Sequence, residues 1–175
     1  RFAEGSGQKS MAVANGQFFV VRRSALNSIG GYQSVKHAVI DDVFLARELI
    51  STGASGTVVN GSDIAETRMY ASWKDIKAGY GKSLHAAFGS VPGSGIAIAF
   101  LFLTGIAPLV AGITGSSLGW YAFAAVTLTR AMSAIKVGKS GLDALLHPFS
   151  SALLIYLIIY SWLMRGQVQW KGRTL

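Results

Sequence analysis

Apolar residues fill most of the second half of the chain, in stretches long enough to cross a membrane. Three such segments lie at about 93–115, 118–137 and 142–164. Each approaches the roughly 20 residues that a helix needs to span a bilayer core. The pattern predicts an all-α bundle of about three transmembrane helices over residues 91–165, followed by a short basic tail at 166–175.

The first 69 residues alternate between short apolar runs and polar turns, which is typical of a water-facing α/β domain. The β-branched and aromatic residues of "MAVANGQFFVVRR" (11–23) and "GTVVN" (56–60) predict two buried strands. Between them, "SALNSIGG" (24–31) predicts a short helix ended by glycines. A region this small has little core of its own, so we expect it to be the remnant of a larger α/β domain.

A second helix is predicted over 41–52, and it opens with two adjacent acids. Asp41 or Asp42 would serve as its N-cap, and Gly53 would end it. The apolar positions at helical spacing predict the buried face, which consists of Val43, Leu45, Ala46, Leu49 and Ile50.

The boundary between the two halves carries an amphipathic pattern at 68–90. Its aromatic and aliphatic residues, from Tyr70 to Phe88, fall within an arc of roughly 120° when spaced at 100° per residue. A basic, aromatic helix next to an apolar segment favours the membrane interface. We therefore predict an interfacial helix at 70–90; the alternative is a surface helix packed on the preceding domain.

The distribution of charge along the chain is more informative about function than the net charge. The chain has 16 Lys and Arg, 8 Asp and Glu, and a net charge of +8, but six of the acids lie before residue 70. Basic residues beside apolar segments are explained by membrane topology, which argues against nucleic-acid binding. The larger basic group weakly places the soluble part in the cytoplasm, so we expect a multi-pass protein of the inner membrane. Arg130 interrupts the middle segment, and we interpret it as snorkelling to the interface.

Most catalytic motifs are missing from the sequence. Cysteine is absent, and no phosphate-binding glycine loop, zinc-ligand spacing or serine nucleophile motif is present. The acidic pair Asp41-Asp42 is the strongest remaining local candidate. Both acids could simply favour the helix start through its dipole. Alternatively, one could cap the helix while the other acts as a general base.

The wider context favours the second interpretation. The segments "NGQFFVVRRSALNSIGGY" (15–32), "IDDVFLAREL" (40–49) and "GSDIAETRMYASWKDIKAGYGKSL" (61–84), together with the terminal "WKGR" (170–173), resemble the C-terminal half of a family 2 glycosyltransferase. The likeness is to membrane-bound members with a GT-A type domain, closest to those associated with hopanoid and carotenoid glycosylation. It implies an α/β GT-A remnant at 1–69, ahead of the interfacial helix and the bundle.

The resemblance assigns roles to individual residues. It implies that Asp42 is the base that deprotonates the acceptor hydroxyl, with Asp41 beside it in the acidic pair, and that the anomeric carbon is inverted. Substrate contacts are implied at two further places, each with a purely structural alternative. They are the acceptor-side segment Asn15, Gly16 and Gln17, and the basic and aromatic group Arg68, Tyr70 and Trp73.

The donor-binding half of that family has no counterpart here. Its nucleotide-binding strand and metal-binding Asp-x-Asp would lie before Arg1, so the resemblance implies a fragment that is inactive alone. No metal ligands are assigned in this chain. A divalent metal, Mg²⁺ or Mn²⁺, is expected in the full-length enzyme, with ligands mainly in that missing half.

The predicted function is transfer of a sugar from a nucleotide-sugar donor to a lipid or lipid-linked hydroxyl. The alternative is a non-catalytic membrane protein, such as a transporter subunit or scaffold, in which the two acids serve only the helix. The sugar, the acceptor and the oligomeric state are not encoded in any motif of the sequence.

Overall fold

The computed structural model describes residues 12–38, 40–59, 61, 64–165, 169–170 and 173–174. The chain divides into two compact units, Arg1–Met69 and Tyr70–Leu175, which are called the first and the second unit below.

The first unit contains short helices joined by extended chain. Helix α1 spans Arg23–Ser28, a 3-10 turn spans Gly31–Val35, and α2 spans Asp41–Ser51. Gly53 ends α2 with a left-handed φ of 85°, and the Ala54 N–H then bonds to the Leu49 carbonyl, 3.1 Å away.

One apolar cluster holds the described part of this unit together. Val35, Leu45 and Leu49 are buried at its centre. The partly buried residues packed around them are Phe19, Val21, Ala25, Leu26, Ile29, Ala38 and Ala54. The predicted buried face of α2 is therefore confirmed at Leu45, Ala46 and Leu49, while Val43 and Ile50 are only partly buried.

The α/β prediction is wrong. None of residues 12–23 or 56–59 lies in a strand; Met11 and Asn60, at the edges of the predicted strands, lie outside the described residues. A turn at Asn15 breaks the first run, because the Phe18 N–H bonds back to the Asn15 carbonyl at 3.2 Å. In the second run, Val58 and Val59 are more than 70% exposed. Apolar β-branched residues form a strand only where a neighbouring strand pairs with them, and elsewhere they pack or stay exposed.

The second unit is a set of longer helices. Helix α3 spans Trp73–Ala87 and α4 spans Val91–Leu101, followed by a π turn at Phe102–Ile106 and by α5 at Ala107–Ile113. Helix α6 spans Ser117–Lys136, a 3-10 turn spans Leu142–Leu146, and α7 spans His147–Leu163. Across the described residues, strand pairing is confined to a two-residue antiparallel ladder, β1 (Gln169–Trp170) with β2 (Arg173–Thr174).

Serine side chains begin three of these helices. Ser72, Ser90 and Ser116 accept the backbone N–H three residues ahead, at the starts of α3, α4 and α6. The π turn comes just before Pro108, which lacks a backbone N–H, and the Ala107 N–H bonds to the Phe102 carbonyl five residues back.

Helices α3, α4 and α7 pack around a second apolar cluster. Leu84, Leu157 and Ile158 are buried at its centre. The amphipathic face predicted for α3 contributes to it through Ile76, Tyr80, Leu84 and Phe88. This face of α3 therefore packs against the apolar helices of its own unit, and its proposed place at a membrane interface stays a prediction.

Two helical stretches are long and apolar enough to cross a membrane. They are Val91–Ile113 and Leu142–Leu163, and only 17% and 33% of their most apolar windows are buried. Helix α6, which carries Arg130 and Lys136, is not among them, although it was predicted as the middle crossing. Length and composition thus support two of the three predicted crossings within the described residues.

Candidate active site

The acidic pair begins α2, but neither acid is the N-cap. Ile40 occupies that position without a side-chain bond, and Asp41 and Asp42 are the first two residues of the helix. The expected cap is therefore wrong. Both acids still lie in the first turn, where the partial positive charge of the helix N-terminus favours carboxylates.

The two acids differ in their surroundings. Asp42 is partly buried, and its carboxylate accepts two backbone N–H groups: Gly16 donates to Oδ2 at 2.7 Å and Val43 donates to Oδ1 at 2.9 Å. Asp41 is exposed, and no hydrogen bond to its side chain occurs among the described residues. The short bond from Gly16 fixes only the second carboxylate of the pair.

That bond joins two segments that are 26 residues apart in sequence. Asn15 shapes the turn that presents Gly16, because its Oδ1 accepts the Gln17 N–H at 3.1 Å. The close approach depends on glycine, since a Cβ at position 16 would lie 3.2 Å from Asp42 Oδ2. The structure therefore brings Asp42 together with Asn15, Gly16 and Gln17, four of the residues singled out from the sequence.

The turn beside the carboxylate is exposed, and the carboxylate retains acceptor capacity. Residues 15–18 are exposed, and each oxygen of Asp42 accepts a single N–H among the described residues. A carboxylate oxygen has two lone-pair positions, so each retains one acceptor site. A carboxylate that is held in place and still accessible can accept a proton from a hydroxyl group.

The basic and aromatic group is divided between the two units. Arg68 is an exposed residue of the first unit, whereas Tyr70 and Trp73 belong to the second. Tyr70 packs onto α3, where a Cβ at Gly79 would overlap its ring, and its ring centroid lies 5.8 Å from that of Tyr80. Burial, and then the neighbouring Tyr80, raise the pKa of Tyr70 above its usual value.

Trp73 begins a line of aromatic side chains that sequence reasoning missed. It stacks on Tyr156 with centroids 6.2 Å apart, and Tyr156 stacks on Tyr160 at 6.1 Å. The Lys77 ammonium lies 4.6 Å from the centre of the Tyr160 ring. The spacing of Tyr156 and Tyr160 could have indicated this line, because residues four apart share one face of a helix.

A polar contact also ties α3 to α7. Ser161 is fully buried; its hydroxyl donates to the Gly81 carbonyl at 2.7 Å and accepts the His85 N–H at 2.9 Å. The pKa of His85 is lowered, first by burial and then by the charge of Arg165, while a hydrogen bond with the backbone of Gly81 opposes the shift. The residues in these contacts belong to no recognisable sequence motif, so the contacts could not be predicted from the sequence.

The described residues do not offer a metal site. No group of three or more His, Cys, Asp or Glu side chains that could hold a metal ion occurs in the part of the chain that the structure describes. The resemblance places the ligands of its divalent metal mainly before Arg1, so the metal stays a prediction, and we derive no catalytic step through it.

Comparison with known proteins identifies the class. The family model described as "Glycosyl transferase family 21" matches residues 6–175, nearly the whole chain. The chain belongs to this family. Neither the curated proteins nor the solved structures gave a match.

This membership confirms a glycosyltransferase and favours it over the non-catalytic alternative. It does not support the more specific likeness to family 2 and to the enzymes of hopanoid and carotenoid glycosylation. A glycosyltransferase uses a sugar donor and an acceptor, and the match names neither of them.

Proposed function

We propose that the chain serves an inverting transfer of a sugar from a nucleotide-sugar donor to the hydroxyl of a lipid or lipid-linked acceptor, with Asp42 as the general base. The single observation that carries the proposal is the Asp42 carboxylate, held by the Gly16 N–H at the start of α2 in a chain of a glycosyltransferase family. Asp41 would add negative charge at the helix start without touching the acceptor.

The proposed transfer needs one group that accepts the proton of the acceptor hydroxyl. Asp42 takes the proton of the acceptor hydroxyl, whose oxygen bonds to the anomeric carbon of the sugar. The bond between that carbon and the nucleoside diphosphate breaks, and the diphosphate leaves with the bonding electrons. Attack on the face opposite the leaving group inverts the configuration of the carbon. A base near the reacting hydroxyl contributes typically about 10²- to 10⁴-fold to such a rate.

The acceptor class is inferred from the apolar character of the second unit. Two helices could cross a membrane by length and composition, so an acceptor confined to the membrane would be held close to this protein. A multi-pass arrangement in the inner membrane, with the first unit facing the cytoplasm, belongs to the proposal, as does an interfacial role for residues 70–90.

The remaining site residues have narrower proposed roles. Asn15, Gly16 and Gln17 would line the acceptor side of Asp42, because they form the turn beside its carboxylate. Arg68 would contact the donor diphosphate through its charge. Tyr70 and Trp73 would bind substrate through their rings; the exposure of Trp73, 46%, leaves part of its ring available. Mg²⁺ or Mn²⁺ would be held by residues other than those described.

A transfer assay on the full-length protein in membranes tests the proposed function. Nucleotide sugars would be combined with sterol, hopanoid, carotenoid and sphingoid alcohols as acceptors, and the lipid product analysed by mass spectrometry and NMR. We expect one glycolipid whose anomeric configuration is opposite to that of the donor. Retention of configuration, or transfer only to water-soluble acceptors, would contradict the proposal.

A further inference from the structure

Two buried polar atoms with no partner lie on one face of α7. His147 and Ser151 are each 2% exposed, and neither Nε2 of the histidine nor Oγ of the serine has a hydrogen-bond partner among the described residues. Residues four apart share a helix face, with their Cβ atoms roughly 5–6 Å from one another. The two atoms therefore belong to adjacent turns of the same buried surface.

The second nitrogen of His147 fixes what Nε2 can do. Nδ1 lies 3.0 Å from the Ala144 carbonyl oxygen, which can only accept, so we assign the proton of the neutral ring to Nδ1. Nε2 is then an acceptor. Phe123 stacks on the ring with centroids 5.0 Å apart and holds its orientation.

Ser151 differs from several hydroxyl side chains on the helices of this unit. Thr104, Thr127, Thr129 and Ser133 each donate to the carbonyl four residues earlier, at 2.7 to 3.0 Å. Ser151 makes no such bond, and its hydroxyl is directed at Gly105, where a Cβ would overlap it. It therefore retains a free donor beside the π turn Phe102–Ile106, an irregularity that often marks functional positions.

We propose that His147 Nε2 and Ser151 Oγ bind one hydroxyl group between them. The hydroxyl would donate its proton to Nε2 and accept the proton of Ser151, which would give both buried atoms the hydrogen-bond partner that they lack among the described residues. Both side chains lie in Leu142–Leu163, which is apolar enough to cross a membrane, and unpaired polar groups are disfavoured there. The hydroxyl belongs to a bound water molecule or to a lipid alcohol. The proposal does not depend on the role of Asp42.

Nitrogen-15 NMR of the full-length protein tests this site directly. The protein would be labelled at histidine and placed in phosphatidylcholine nanodiscs, and the His147 signal identified by its loss in His147→Gln. We expect the Nε2 resonance at the position of a hydrogen-bonded acceptor. Ser151→Ala should move it toward the unbonded position. Ser150→Ala is the matched control, because Ser150 is exposed and its hydroxyl donates to the Leu146 carbonyl; it should leave the resonance unchanged.

Two further measurements show whether the bound hydroxyl belongs to water or to a lipid alcohol. A bonded Nε2 resonance without added alcohol, with magnetisation transfer from water protons, identifies bound water. A bonded resonance that arises only after dodecan-1-ol is added identifies a lipid alcohol. An unbonded resonance in both conditions overturns the proposal, and so does a bonded resonance that a folded Ser151→Ala variant does not shift. If Ser151→Ala does not fold, the comparison of the wild-type protein with and without added alcohol decides the question by itself.

Discussion

The described part of the first unit packs around one apolar cluster centred on α2, whereas the second unit combines an apolar cluster with close contacts between helices at glycine and serine residues. In the first unit, Leu45 and Leu49 are buried on the same helix that begins with Asp42. In the second, Gly79, Gly112 and Gly119 lie where a Cβ would overlap a neighbouring group.

The difference shows where each unit is sensitive to change. The proposed base belongs to the helix that supplies most of the buried cluster, so a loss of packing there also displaces the carboxylate. In the second unit, long helices with an apolar exterior approach closely at small residues, as helices do where apolar surroundings remove the hydrophobic driving force between them. Stability and chemistry are therefore coupled on α2, while in α3 to α7 the contact distance between helices is the sensitive quantity.

The largest effect on stability is expected from Leu45→Ala. Leu45 is fully buried, and truncation of such a leucine costs about 2–5 kcal/mol through the lost transfer energy and the cavity left behind. Hydrogen exchange measured by mass spectrometry should show lost protection in residues 41–51 and unchanged protection in α7. Phe44→Ala, at a position 40% exposed on the same helix, is the control. Equal loss of protection in both units would contradict the claim that Leu45 stabilises the first unit alone.

A smaller effect is expected from Gly119→Ala. The added Cβ would meet the backbone of Ala111 and Gly112, which cannot move aside as a side chain can, so overpacking should cost about 1–3 kcal/mol. Gly95→Ala is the matched control on α4, because nothing lies within 4 Å of its Cβ, and alanine there should raise stability by up to about 1 kcal/mol. Thermal unfolding in detergent measures both; destabilisation by Gly95→Ala equal to that by Gly119→Ala would refute the close-contact account.

The smallest effect concerns pH. Because burial and Arg165 lower the pKa of His85 in the folded protein, the unfolded chain binds more protons below about pH 6.5. Stability should therefore fall as the pH drops from 7 toward 5. His85→Gln should flatten this dependence, and His37→Gln, at an exposed position of the first unit, should not. Midpoints of thermal unfolding between pH 5 and 8 provide the measurement, and an unchanged slope in His85→Gln would contradict the assignment.

Helix positions were predictable from the sequence because periodicity and end signals agreed. The helix predicted at 41–52 is observed at Asp41–Ser51, and the three apolar segments match α4 to α7 within a few residues. The presence or absence of strands was not predictable in the same way. The β-branched content of 11–23 expresses a local preference, whereas a strand forms only by pairing with another segment. The turn at Asn15 instead allows Phe19 and Val21 to pack on the cluster at α2.

The candidate site shows the same limit. The acidic pair could be identified from its place at the start of a predicted helix, but nothing in the sequence distinguishes the contacts of one acid from those of the other. The Gly16 N–H, 26 residues away, distinguishes Asp42 from Asp41. Bonds from serine hydroxyls to backbone carbonyls in the second unit, such as that from Ser161 to Gly81, could not be predicted, because serine in an apolar helix carries no signal of its partner.

The most direct test compares sugar transfer by Asp42→Asn and Asp41→Asn in the full-length protein. Asparagine at position 42 keeps an oxygen for the Gly16 N–H but does not act as the base, so the first variant should lose at least about 10²-fold in transfer rate while its thermal unfolding stays close to wild type. Asp41→Asn, at the exposed neighbouring position, should stay within a few-fold of wild type. Near-normal transfer by Asp42→Asn, or equal loss in both variants, would contradict the assignment of Asp42 as the base.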